Sequence, residues 1–221
     1  MSRTGIDHAV PYTAVAMVRE NGLDFPVYSL PKGYHYATFT PEDEENWITL
    51  QAEVTHVESA AQGKRIFRQE FLQAEEGIPC EECPGYAETV KRTVLVKNDA
   101  GILVGAATLW TGNTFGEVWQ RVHWVAVHPE HQGKGLAKCM ISRMLALYGE
   151  LGCRTPVYLT TQTKTYRAVR IYRQMGFHPY MGEKPANWSY RSELPKATFR
   201  EENEAAWELI RQKLAEAGFT L

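Results

Sequence analysis

Val125-Ala126-Val127-His128-Pro129-Glu130-His131-Gln132-Gly133-Lys134-Gly135-Leu136-Ala137 is the stretch on which the fold of this chain turns. A short β-branched and apolar run stops at a proline. Small residues then open an amphipathic segment with Leu136, Met140, Met144 and Leu147 on one side. The pattern predicts a strand, a tight loop and a helix N-terminus. The first N–H groups of a helix lack carbonyl partners within it, so they can hold an anion, and glycine lets a ligand approach the backbone closely. On spacing alone, an anion site and a plain glycine-rich helix start fit equally well. A nucleoside-triphosphate loop needs Gly-x-x-x-x-Gly-Lys-Ser/Thr and a dinucleotide fingerprint needs Gly-x-Gly-x-x-Gly; this spacing is neither.

A second block lies downstream, Ala168-Val169-Arg170-Ile171-Tyr172-Arg173-Gln174-Met175-Gly176-Phe177, with a strand-like Val157-Tyr158-Leu159-Thr160 between the two. Together they resemble the GCN5-related N-acetyltransferases. Gln132-Gly133-Lys134-Gly135-Leu136-Ala137 fits that family's Gln/Arg-x-x-Gly-x-Gly/Ala signature, and Val127-His128-Pro129 fits its preceding Val-x-Pro. The second block fits Ala, then Leu/Ile-Tyr, then Gly-Phe. The resemblance is clear from about Thr89 to Tyr180 and extends toward Tyr34. It implies an α/β (α+β) fold, a mixed and mostly antiparallel central sheet flanked by helices. The acetyltransferase domain would span 34–182, between an N-terminal extension at 1–33 and a C-terminal extension at 183–221 carrying one helix.

The resemblance also implies an activity: transfer of an acetyl group from acetyl-CoA, as cosubstrate, to a primary amine of a small molecule or peptide by direct attack. Such a transfer needs an oriented and polarised thioester, a neutral amine and a stabilised leaving thiolate. Carried over by position, the pyrophosphate would lie on the N–H groups of Gln132, Gly133, Lys134, Gly135, Leu136 and Ala137, where Lys134 could add a charge. Val125, Ala126 and Val127 would flank the pantetheine arm, with the backbone of Val125 and Val127 facing the acyl carbonyl. Thr165 and Ala168 belong to the second cofactor block. Thr165 stands where many members carry asparagine, so only a hydroxyl is left to meet the arm. Tyr172 matches the tyrosine that serves as general acid, a phenol that keeps its proton at neutral pH; packing between helix and sheet is its bland alternative. Glu117 and His123 are the candidate bases. Six residues apart, they share a face of a regular strand, a relation that a bulge would break. His123 has the more suitable unperturbed pKa, whereas Glu117 would need burial to raise its own. A non-catalytic acyl-CoA-binding regulatory module and a transferase for longer acyl groups are the alternatives.

The chain has 221 residues, with 24 basic against 26 acidic side chains. A near-neutral balance argues against a nucleic-acid coat. No apolar run approaches the roughly 20 residues of a membrane span, and no secretory signal pattern opens the chain. A cytoplasmic location is expected, without nucleic-acid or membrane partners; a homodimer is compatible with it. Cys80 and Cys83 form a lone C-x-x-C, read as thiols in a surface loop, while Cys139 and Cys153 read as small buried residues. The histidines lack the companions of a recognisable metal spacing, so no metal is expected.

The coarse pattern predicts a strand at 34–39, a helix opening at Thr40-Pro41-Glu42-Asp43 and another across 66–72, then a loop at 77–85. Strands at 89–96, 102–110 and 116–127 would form an antiparallel meander. A helix at 133–148, the strand at 157–160, a helix at 166–175 closed by Gly176 and a strand from Phe177 follow. A last helix at 200–217 should pack back through Trp207, Ile210 and Leu214. By family analogy the helices from Pro41 to about Leu72 wall the acceptor site with Trp47, His56, Glu58, Phe67 and Phe71, joined by Tyr34, Tyr36 and Trp110. The same residues suit an ordinary core.

Overall fold

The computed structural model describes residues 5–21, 23–55 and 57–219; Gly22 and His56 lie outside them. The chain forms strand β1 (Ala14–Arg19), β2 (Tyr34–Ala37), helix α1 (Asp43–Val54) and α2 (Ala60–Phe67), which runs on into a π-helical turn at Arg68–Leu72. Then come α3 (Tyr86–Arg92), β3 (Thr93–Asn98), β4 (Leu103–Gly112), β5 (Trp119–Val127) and α4 (Leu136–Glu150). The last elements are β6 (Val157–Gln162), α5 (Tyr166–Gln174), β7 (His178–Pro179) and α6 (Phe199–Glu216). The strands are ordered β2-β3-β4-β5-β6-β1-β7. The pairs β1–β6, β1–β7, β2–β3 and β3–β4 are antiparallel, and β5–β6 is parallel at Gln120↔Val157 and Arg121↔Tyr158. This is the mixed, mostly antiparallel sheet that the sequence led us to expect.

Two compact units divide the chain: 27–109 with 124–147, and 1–26 with 110–123 and 148–221. The first unit is built on an aromatic cluster. Phe39 stacks on Phe67 at 5.7 Å, and Trp47 meets Phe67 at 4.9 Å and Phe71 at 5.7 Å. All four rings are essentially inaccessible. Helix α1 enters this cluster with two anchored acids. Asp43 accepts from the N–H and hydroxyl of Thr40 and pairs with Lys97 at 2.8 Å. Glu44 makes a two-point contact with Arg68 at 2.7 and 2.9 Å.

The second unit pairs β1 with β6 over six residues, from Ala14↔Gln162 to Arg19↔Val157. β1 therefore enters the sheet from within the segment set apart as an N-terminal extension. Helix α6 does pack back, burying Ala206, Trp207, Ile210 and Leu214 at helical spacing. Its start carries a reciprocal capping box, Thr198 with Glu201.

Three local expectations need correction. Residues 89–92 close helix α3 rather than open a strand. The Thr89 N–H and hydroxyl both bond back to the Gly85 carbonyl, and Glu88 pairs with Arg92 one turn on. β5 begins at Trp119, because Gly116 turns the chain at φ +93° with its N–H on the Asn113 carbonyl. Glu117 is thus an exposed turn residue and shares no strand face with His123. Cys80 and Cys83 are buried, not superficial, and burial, with Glu44 next in effect, pushes the Cys80 thiol up to about 12.

Trp207 is 0 % exposed, and its indole N–H has no acceptor among the described residues. Its stabilising effect is therefore packing. Trp207→Ala should cost about 3–5 kcal/mol of unfolding free energy, whereas Trp207→Phe should cost less than about 2. Urea denaturation of the two variants checks this, and equal losses would contradict it.

Candidate functional site

Strand β5 carries a backbone anomaly near its end. Trp124 sits at φ +50°, a left-handed conformation rare for a bulky residue. Three contacts hold it. Gln51 of α1 donates from Nε2 to the Trp124 carbonyl at 3.0 Å, and the Trp124 indole N–H donates to Glu70 at 2.9 Å. Its ring lies edge-on to Trp47 at 5.3 Å. Beyond it Val125 and Val127 are half-buried and Ala126 is buried. The His128 N–H then returns to the Val104 carbonyl at 2.9 Å, keeping the strand end on β4.

A 3₁₀ turn at Pro129–His131 leads into the loop. Gly133 and Gly135 have φ of +77° and +85°, which disfavours any side chain there, yet nothing lies within 4 Å of where a Cβ would stand. The glycines serve backbone conformation and leave open space above it. The helix ladder begins with the Cys139 N–H on the Gly135 carbonyl, so the amides from Gly133 to Ala137 stand ahead of it. Gln132 ties the loop down through Nε2 on the Val127 carbonyl at 3.0 Å. Lys134 donates to the Tyr34 hydroxyl at 2.9 Å, and that hydroxyl meets His131 Nδ1 at 2.8 Å. Burial, then the Lys134 and His128 charges, hold the His131 imidazole below its usual range, so it stays neutral at neutral pH. His128 pairs with Glu53 at 3.0 Å. The result is an open row of amides at a helix N-terminus beside a lysine, an arrangement that stabilises an anion.

The other unit holds the second block. Tyr172 on α5 is 9 % exposed, with its ring 6.3 Å from Phe177. Its hydroxyl has no hydrogen bond among the described residues, whereas the hydroxyls of Tyr148 and Tyr158 are bonded to Thr155 and Thr114. Burial pushes the Tyr172 phenol up to about 12, which keeps it protonated. Ala168 lies one turn earlier, on the same side of α5. Thr165 spends its hydroxyl within the chain, on the Gln162 carbonyl at 3.1 Å and Thr161 at 2.9 Å. His123 is half-buried on β5.

Several residues expected along the acceptor wall have other work. Trp47, Phe67 and Phe71 are core, Glu58 is exposed and His56 is outside the described residues. Tyr34, on β2, meets the loop through His131 and Lys134, and Tyr36 donates to the Cys139 carbonyl at 2.9 Å. Gln51 and Glu70, which hold Trp124, went unnoticed in the sequence. A glutamine and a glutamate inside otherwise aromatic helical stripes were the available signal. No group of three or more metal-ligating side chains occurs among the described residues.

The acetyltransferase (GNAT) family matches residues 60–177, just over half of the 221 residues, and the chain belongs to that family. It is 29% identical over 101 residues to the L-amino acid N-acyltransferase MnaT of Escherichia coli. It is 30% identical over 101 residues to the L-methionine sulfoximine/L-methionine sulfone acetyltransferase of Salmonella typhimurium. Each alignment covers 43% of this chain and 58% of the relative, so the chain spans little more than half of those relatives' length. The fold is similar to that of a GCN5-related N-acetyltransferase from Sphaerobacter thermophilus: TM-score 0.56, 20% identity, 77% of this chain and 49% of the other. A tandem GNAT protein from the clavulanic acid biosynthesis pathway gives TM-score 0.51 at 18% identity, covering 79% of this chain and 52% of the other.

If the open amides receive a pyrophosphate, like charge at the loop should repel it. Lys134→Glu and Gly135→Glu should each weaken acetyl-CoA binding by roughly 10-fold or more, with circular dichroism unchanged. Lys134→Glu avoids the φ strain that Gly135→Glu adds. Calorimetry showing wild-type affinity in both would remove the anion site.

Proposed function

We propose that this protein is an acetyl-CoA-dependent N-acetyltransferase acting on the primary amine of a small molecule. The observation that carries this is the open row of amides from Gly133 to Ala137, directly after the distorted end of β5 and inside the family match. The two relatives named for amino-acid substrates support a small acceptor over a peptide.

In this reading the amine nitrogen attacks the thioester carbonyl, the C–N bond forms and the C–S bond breaks. No covalent enzyme intermediate is needed. The amides of Val125 and Val127 polarise the carbonyl. Tyr172 gives its proton to the departing sulfur; a phenol held near 12 by burial is fully protonated beforehand. The amine must lose a proton to attack, and His123 is the better of the two candidate bases. It stands half-buried on β5, while Glu117 lies in an exposed turn ahead of the strand. Cytoplasmic location, absence of a resident metal and a homodimeric state belong to the same proposal.

Tyr172→Phe should lower turnover about 10²-fold or more, with acetyl-CoA affinity little changed, because only a transition-state interaction is lost. An unchanged rate would return Tyr172 to packing. The pH profile gives an independent check. Rate at low acceptor should climb from about pH 6 to about pH 8 as the base and the amine lose protons. His123→Ala should flatten and depress that climb, and Glu117→Gln should leave it in place. Because the folded Tyr172 pKa is raised, no alkaline fall from its ionisation should occur below about pH 10. A His123→Ala profile identical to wild type would dismiss His123 as the base.

A further inference from the structure

Arg121 is the one strongly basic group on β5, and its surroundings are unusual. It is half-buried, yet no carboxylate of the described residues pairs with it. Nη2 donates to the Thr160 hydroxyl at 2.9 Å and to the Tyr190 hydroxyl at 3.0 Å. Those hydroxyls lie 3.3 Å from each other. The guanidinium carbon is 5.9 Å from the centre of the Tyr158 ring. Nε is fully buried and has no acceptor among the described residues.

Unsatisfied N–H groups on a partly desolvated cation are costly, and an anion relieves that cost best. The neutral hydroxyls fix the guanidinium without neutralising it. With both Nη2 hydrogens on hydroxyls and Nε sealed from solvent, Nη1 is the end of the guanidinium left to donate to an incoming anion, and its charge and donors match a singly charged carboxylate. A phosphate dianion would call for a second cation, and the contacts around Arg121 are hydroxyls and an aromatic ring.

Position supplies the rest. Gln120 and Val122 are buried, whereas Arg121 and His123 are half-buried and occupy the alternate face of β5. Two residues of strand separate them by about 6.6 Å. One small molecule carrying both a carboxylate and an amine can therefore meet Arg121 and His123 together. We infer that Arg121 is the receptor for a carboxylate on the acceptor, with Thr160 and Tyr190 as its positioning residues, so that the acceptor is an amino acid rather than a simple amine. This rests on the acetyltransferase reading above and narrows it to one substrate class.

Matched pairs test it: L-leucine against 3-methylbutylamine, and L-phenylalanine against 2-phenylethylamine, each with acetyl-CoA. Wild type should favour the amino acid in kcat/KM by about 10²-fold or more. In Arg121→Gln that ratio should collapse toward unity, mainly through KM of the amino acid, and Arg121→Lys should retain part of it. Tyr190→Phe, a milder change, should reduce the ratio several-fold without loss of thermal stability. Comparing ratios cancels the different basicities of the amines. Equal loss for both members of each pair would make Arg121 structural and overturn the inference, as would a wild-type enzyme indifferent to the carboxylate. Calorimetry without turnover separates the two readings. L-leucine binding by wild type that Arg121→Gln abolishes, alongside no acetyl transfer to any amine, would sustain the receptor and sink the enzymatic activity. Failure of wild type to bind either amino acid would overturn the receptor itself.

Discussion

The left-handed turn at Trp124 is the constraint from which the rest of the candidate site follows. A bulky residue at φ +50° costs about 1–2 kcal/mol relative to extended backbone, so it persists only where neighbours over-determine it. Here the carbonyl is held by Gln51, the indole N–H by Glu70 and the ring by Trp47. Each contact comes from α1 or the π-helical turn. A π-helical turn widens the helix by one residue, and Glu70 sits within it. Two irregularities, one in a helix and one in a strand, therefore support each other.

The position of α1 has its own physical basis. Asp43 and Glu44 stand at its start, where negative charge suits the helix dipole. Burial alone would raise the Asp43 pKa. The Lys97 ammonium and the Thr40 N–H and hydroxyl outweigh that, and hold the carboxyl below its ordinary range. A carboxylate of depressed pKa adds stability that is present at neutral pH and is lost as pH falls through the folded value. Glu44 and Arg68 fasten the same helix end to the chain entering the π-helical turn, with two further Arg68 contacts to the carbonyls of Glu75 and Ile78. Two turns along, this fixed helix presents Gln51 to Trp124. Buried ion pairs add little net stability against a hydrophobic alternative. Their use here is positional, setting where the amide of Gln51 must be.

The sequence carried the loop and both motif blocks plainly, because both are local. Gly133 and Gly135 have to be glycine for their φ values, and Leu136, Met140 and Met144 have to be apolar for α4 to pack. Segment ends and non-local contacts were less legible. Residues 89–92 read as a strand from their composition, yet the Gly85 carbonyl and the Glu88–Arg92 pair draw them into α3. β1 lies in a segment without periodicity, and its pairing with β6 and β7 makes it a strand. The shared face of Glu117 and His123 assumed regular pleating back to 117, which the turn at Gly116 removes. Aromatic residues expected to wall an acceptor became core, since a ring at helical spacing looks the same in either role.

Legibility in the sequence divides by the kind of atom the chemistry would use. An anion at a helix start is met by main-chain N–H groups, so its signature is a pattern of residues that permit one backbone path. Such a pattern survives in sequence. Acid, base and acceptor recognition depend on side chains whose meaning comes from what surrounds them. Tyr172 is one of several buried tyrosines, set apart because its hydroxyl has no partner among the described residues while those of Tyr148 and Tyr158 do. Arg121 is one of many cations, set apart because hydroxyls rather than carboxylates surround it. In both cases the informative feature is an unmet bonding capacity in a partly dry place. Folding tolerates such a feature at a cost, and a ligand that completes it recovers that cost at the site where selectivity is needed.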